Sequence, residues 1–179
     1  DATTEDPQSV QLSAFPSRPE EGEISADASV AVFPSAVTLA ATGSLTGRRL
    51  VVKGSDHEVD LARLERELTK DPRPEIWGLD PNGKPVVGAK VTAEIVELVP
   101  VRLLIGYEYD PITKLVAPSY QYDTQRKALR TLTLTTGAGG AFALSLTVPA
   151  ADHDYEVVLR TQDAAGRTAQ RSITVSRAV

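Results

Sequence analysis

Residues 78–99 read GLDPNGKPVVGAKVTAEIVELV. Asp80-Pro81-Asn82-Gly83 puts a proline where φ is preset and a glycine where φ can turn positive, the chemistry of a tight reversal. From Lys90 the chain alternates, with Val91, Ala93, Ile95 and Glu97 on one face and Thr92, Glu94, Val96 and Leu98 on the other. Both faces are partly apolar, which predicts a central strand with one buried side and one partly covered side.

The same grammar continues on either side. Upstream, ASVAVF (28–33), AVTLAA (36–41) and RLVVK (49–53) are short Val-, Leu- and Thr-rich runs, with Thr42-Gly43-Ser44 and Gly47 as punctuation. EVDLARLEREL (58–68) fits two readings. Val59, Leu61, Leu64 and Leu68 recur at helical spacing, yet the following Asp71-Pro72-Arg73-Pro74 also suits a strand that runs into irregular chain, which is the reading adopted. Downstream, LRTLTLT (129–135), AFALSLTV (141–148), YEVVLRT (155–161) and TAQRSITV (168–175) are separated by Gly-rich or Asp-rich turns. Short strands with turn signals every ten residues or so predict an all-β antiparallel sandwich. No fixed-period repeat is visible.

A second reversal lies at Asp110-Pro111-Ile112-Thr113-Lys114, flanked by Tyr107-Glu108-Tyr109 and Tyr120-Gln121-Tyr122. Pairing Tyr109 with Tyr120 would set Tyr107 opposite Tyr122 and build an aromatic ladder across a long hairpin. Strands that continued to the Asp-Pro turn would shift that register.

Residues 1–25 carry three prolines and six acidic side chains and read as a linker or loose tail, with one sandwich domain over 26–179. The chain begins Asp1-Ala2-Thr3-Thr4 and has no methionine, which reads as a mature or excised piece of something longer. With no cysteine among 179 residues, disulfides, thiol nucleophiles, thioesters and Cys-ligated zinc are excluded for this stretch. Two histidines leave little for a His-rich metal site. A net charge of −5 gives no footprint for nucleic acid, and Arg126-Lys127 with Arg130 reads as a solvated strand face. No run approaches the ~20 apolar residues that span a bilayer, so no membrane insertion by this segment is expected.

GKPVVGAKV (83–91), YDPITK (109–114), TLTTGAGGAF (133–142) and DYEVVLRTQDAAGR (154–167), in this order, resemble a macroglobulin-type domain of the bacterial alpha-2-macroglobulin family. The resemblance is close over 78–167 and looser over 26–176. It implies a seven-stranded, fibronectin-III-like sandwich carried in a large exported or envelope-anchored protein that entraps and inhibits proteases. The family's Cys-x-x-Glu-Gln thioester has no counterpart here. The expected role is therefore structural: a non-catalytic module with no cofactor, contacting neighbouring domains of its own chain and, through the whole protein, a trapped protease.

Trp77, Tyr107, Tyr109, Tyr120 and Tyr122 are the candidate partner-contact residues. Their alternative use is sugar stacking on an adhesin or carbohydrate-binding module, and the plainest use is packing at the sandwich edge. A hydrolase-associated accessory domain is a third reading. His57 lies among Asp56, Glu58 and Asp60, a set that could hold Ca²⁺ weakly, but a strand with these acids on one face is more often a solvated edge. His153, in Asp152-His153-Asp154, reads as an exposed turn residue. The glycines at 137–140 sit between strands and open no helix, so they make turns and no phosphate cradle.

Overall fold

A computed structural model describes residues 8–14, 26–70 and 80–177. Two four-stranded antiparallel sheets face each other. The first orders β10 (Thr168–Val175), β9 (Asp154–Gln162), β6 (Lys90–Asp110) and β7 (Leu115–Thr135). The second centres on β4 (Arg49–Val59), with β3 (Val37–Thr46) along one edge and β8 (Ala141–Thr147) followed by β5 (Asn82–Pro85) along the other. The sheets therefore hold eight strands against the seven that the resemblance implied. β6 lies between β9 and β7, the central position that its two-faced alternation predicts.

The core is built by alternation. Leu39, Leu50 and Val52 of one sheet meet Val91, Ala93, Ile95, Val157 and Leu159 of the other, closed by Phe142, Leu144 and Val175. Tyr155 is fully buried; its hydroxyl donates to the Ala150 carbonyl at 2.6 Å and accepts from the Ala150 N–H at 3.1 Å, tying the β8–β9 connection to the core. At the opposite end Asp163 Oδ2 accepts from the Ala36 N–H at 3.0 Å and from Arg167 Nε at 2.8 Å, which joins the β9–β10 turn to the start of β3.

Several boundaries differ from the sequence reading. Gln8–Ala14 (β1), within the stretch read as linker, pairs antiparallel with β2 (Ala26–Val32). Thr42-Gly43-Ser44 is no break: β3 runs through it to Thr46. A Cβ on Gly43 would stand 2.3 Å from Val175 Cγ2, so this glycine makes room for a side chain of the last strand. Asn82 and Gly83 already belong to β5, with the Asn82 N–H on Asp80 Oδ1 at 3.0 Å. The chain crosses from one sheet to the other slightly later, over Val86–Ala89, where Gly88 takes φ 79° and Thr136 binds both sides of the crossing through the Val86 carbonyl and the Ala89 N–H.

The adopted reading of 58–68 is also corrected. β4 ends at Val59 and Leu61–Lys70 forms a helix, α1. Asp60 caps it, its Oδ1 accepting the Arg63 N–H at 3.0 Å. Leu64 is buried and Arg63 pairs with Glu67 one turn on. No helix among the described residues is long and apolar enough to cross a membrane.

Candidate functional site

The feature that sets this sandwich apart is the length of β6 and β7. β9 pairs with β6 only from Thr92 to Leu98; from Val99 onward β6 pairs with β7 alone. At roughly 3.3 Å per residue the free part projects about 40 Å. It closes at Pro111–Lys114, where Asp110 accepts from the Ile112 N–H (2.9 Å) and the Thr113 hydroxyl (2.7 Å). These bonds hold the Asp110 carboxyl below its ordinary pKa, the Thr113 hydroxyl contributing most.

The tyrosines are not paired as a ladder. Tyr109 stands opposite Val116, Tyr107 opposite Pro118, Leu104 opposite Tyr120 and Arg102 opposite Tyr122. The strands continue to the Asp-Pro turn, and that displaces the predicted register. Directly opposed residues share a side of the ribbon. Period-2 alternation would send odd-numbered Tyr107 and Tyr109 to the side opposite Arg102 and Leu104. A bulge at Ile105, between the Leu104 and Gly106 pairs, inserts one residue and reverses that parity. All four tyrosines consequently stand on one side, with Leu104, Pro118, Val116 and Arg102.

Two contacts agree with this assignment. The Arg102 guanidinium lies 4.2 Å over the Tyr120 ring, while Ser119 and Glu108, on the other side, hydrogen-bond each other at 3.3 Å. The tyrosine side is apolar and open: Tyr107, Tyr109 and Tyr122 are 68%, 60% and 75% exposed, and Ile112 at the tip is 90% exposed. Its one charge is Arg102. The opposite side carries Asp123, Glu108 and Asp110 among Leu103 and Leu115. A glycine at 106, inside a strand pattern, was the sequence signal for this bulge; Arg102, Leu104 and Val116 carried none.

The ribbon is anchored where it leaves the sandwich. Glu97 is buried, with Oε1 2.9 Å from His153 Nδ1 and Oε2 3.9 Å from Lys127 Nζ. His153 is thus half-buried against a carboxylate, where an exposed turn residue was expected. Arg126 pairs with Glu156 while its neighbour Lys127 reaches Glu97 from the other side of the strand, so the basic cluster is divided between the two sides of β7 and does not form one solvated face.

The acids around His57 do not converge. Asp56 is fully buried and faces the core, in place of the solvated edge expected for it; Glu58 is exposed and Asp60 caps α1. Among the described residues no three His, Cys, Asp or Glu side chains are grouped to hold a metal. Asp56 Oδ2 lies 3.3 Å from the Thr161 hydroxyl, and Oδ1 has no partner. Burial pushes its carboxyl up to about 6, with the Thr161 hydrogen bond and His57 drawing it back. Trp77 and Asp71-Pro72-Arg73-Pro74 lie outside the described residues.

Two solved structures share this architecture. Native alpha-2-macroglobulin of E. coli matches 98% of this chain with a TM-score of 0.55 at 11% identity. Salmonella alpha-2-macroglobulin reacted with methylamine matches 95% with a TM-score of 0.51 at 8% identity. The fold is macroglobulin-type. The macroglobulin-type sandwich seen here spans 10% of each of those chains. No family model matches the sequence, and no curated protein matches it.

Proposed function

We propose that this chain is a non-catalytic, architectural module of a larger bacterial macroglobulin-like protein, secreted or held at the cell envelope, that traps proteases. The observation that carries the reading is the match of nearly the whole chain to a tenth of two alpha-2-macroglobulins. The module stacks against neighbouring domains of its own polypeptide, and the projecting ribbon with Tyr107, Tyr109, Tyr120 and Tyr122 is its contact surface; Trp77 is the remaining candidate contact residue. Trapping belongs to the assembled protein, and this segment, which has no cysteine, supplies no thiol for it.

The test is to incubate the full-length polypeptide carrying this segment with a broad-specificity protease. Retained cleavage of a small peptide substrate with lost cleavage of a large protein substrate supports trapping. Equal loss of both, or no loss, overturns it. A glycosidase domain beside the module would overturn the architectural reading as well.

The row of exposed tyrosines on one side favours a second reading, a carbohydrate-binding or adhesin module, since open aromatic rings also stack on sugars. Saturable binding on a glycan array, abolished by Tyr122→Ala, would favour it over the architectural role.

A further inference from the structure

The ribbon beyond Leu98 presents a physical problem. A two-stranded ribbon is marginal by itself in water, and this one leaves large apolar side chains open along its length. Its two sides also differ: aromatic and apolar with Arg102 on one, three carboxylates on the other. Three open tyrosines, at about 150–250 Å² per fully buried aromatic, offer roughly 300–500 Å². With Leu104, Val116 and Ile112 added, the side approaches the ~800 Å² that each partner contributes to a standard interface. A contiguous patch of that size marks an interaction site.

We propose that the Ile105 bulge exists to make this a one-sided docking surface, and that its occupant is the sheet face of an adjoining β-sandwich module of the same polypeptide, apolar and bearing a carboxylate opposite Arg102. This rests on the reading of the chain as one module among several. Charge selects the occupant: the tyrosine side holds a cation and no acid, so it accepts an acidic apolar face and does not repel one. A second copy of this chain fits less well. Among the described residues of the ribbon, the acid-bearing apolar surface it could offer is the opposite side, and such a contact is head-to-tail, giving rings or filaments in place of a two-fold pair.

The test compares hydrogen exchange over 99–125 in the isolated 179-residue chain and in the full-length polypeptide. The expected result is exchange slower by about ten-fold or more in the full-length protein, with β9 equally protected in both. Insertion of one alanine between Ser119 and Tyr120 gives Ile105 a partner and sends Tyr107 and Tyr109 to the side away from Tyr120 and Tyr122; it and Arg102→Glu should each restore fast exchange. Glu108→Lys, on the far side, should not. If the insertion disturbs folding, β9 protection will show it, and Arg102→Glu still decides.

Equally fast exchange in a full-length protein that does contain tandem sandwiches overturns the docking proposal and leaves the architectural reading standing. A full-length protein without further sandwiches overturns both. Loss of protection in Glu108→Lys, or protection of the isolated chain that rises with its concentration, overturns the one-sided or same-chain assignment respectively.

Discussion

Between Lys90 and Leu98 the β6–β7 hairpin is sandwich: β9 pairs along it and Val91, Ala93 and Ile95 are fully buried. From Val99 to the turn the same two strands carry Leu103, Leu104, Ile105 and Tyr107 more than half exposed. Backbone pairing runs the length of both halves with one bulge in each, so hydrogen bonding is not what separates them. What differs is the burial that turns a paired strand into a stable one. The proximal half draws stability from the core, whereas the distal half leaves its apolar surface open.

The contrast can be tested from its strongest side. Ile95→Ala removes a fully buried side chain from the proximal half and is expected to cost about 3 kcal/mol in urea unfolding; a loss below about 1 kcal/mol would mean that the core there is loosely packed. Asp56→Asn should act in the opposite direction. Because the folded pKa, about 6, lies above the usual 3.8, the fold favours the protonated carboxyl. That contribution is complete below 3.8 and is lost as pH rises through 6. The variant should therefore gain about 2 kcal/mol at pH 7.5, with the gain shrinking toward pH 4. A pH-independent difference would argue against a strained carboxylate.

At the boundary between the halves, Glu97→Ala leaves His153 and Lys127 without their shared acceptor. It should cost about 1–2 kcal/mol and speed exchange just beyond Leu98 without affecting the tip. Smallest of all, Tyr122→Ser in the isolated chain should change stability by no more than about 0.5 kcal/mol. A larger loss would show that the distal half is already packed on something within the chain, and the contrast between the halves would collapse.

Much of the sandwich was legible because period-2 alternation and turn chemistry are local. β9, β10 and the two-sided burial of β6 follow directly from the spacing of Val, Leu and Ile. The failures have non-local causes. Gly43 looked like a turn because the reason for a glycine there, the approach of Val175, comes from the other end of the chain. Residues 61–70 became helix through a cap at Asp60 and one buried leucine, against a pattern that fitted either state. At the ribbon the tyrosines were visible and their sidedness was not, because one bulged residue reverses parity and only Gly106 hinted at it. Asp56 was placed at a solvated edge because alternation cannot reveal which polar residue a sandwich encloses.

The placement of the hairpin turn bears on the order in which the molecule assembles. Zipping from Pro111–Lys114 is the local, fast way to align β6 with β7, but it would begin in the half with no core behind it. Pairs such as Val91 with Leu134 are far apart in sequence and gain their hydrophobic reward only once β9 and the facing sheet arrive. Folding should thus start by slow, long-range closure at the base, and the ribbon should take its register outward from there, with the turn formed last.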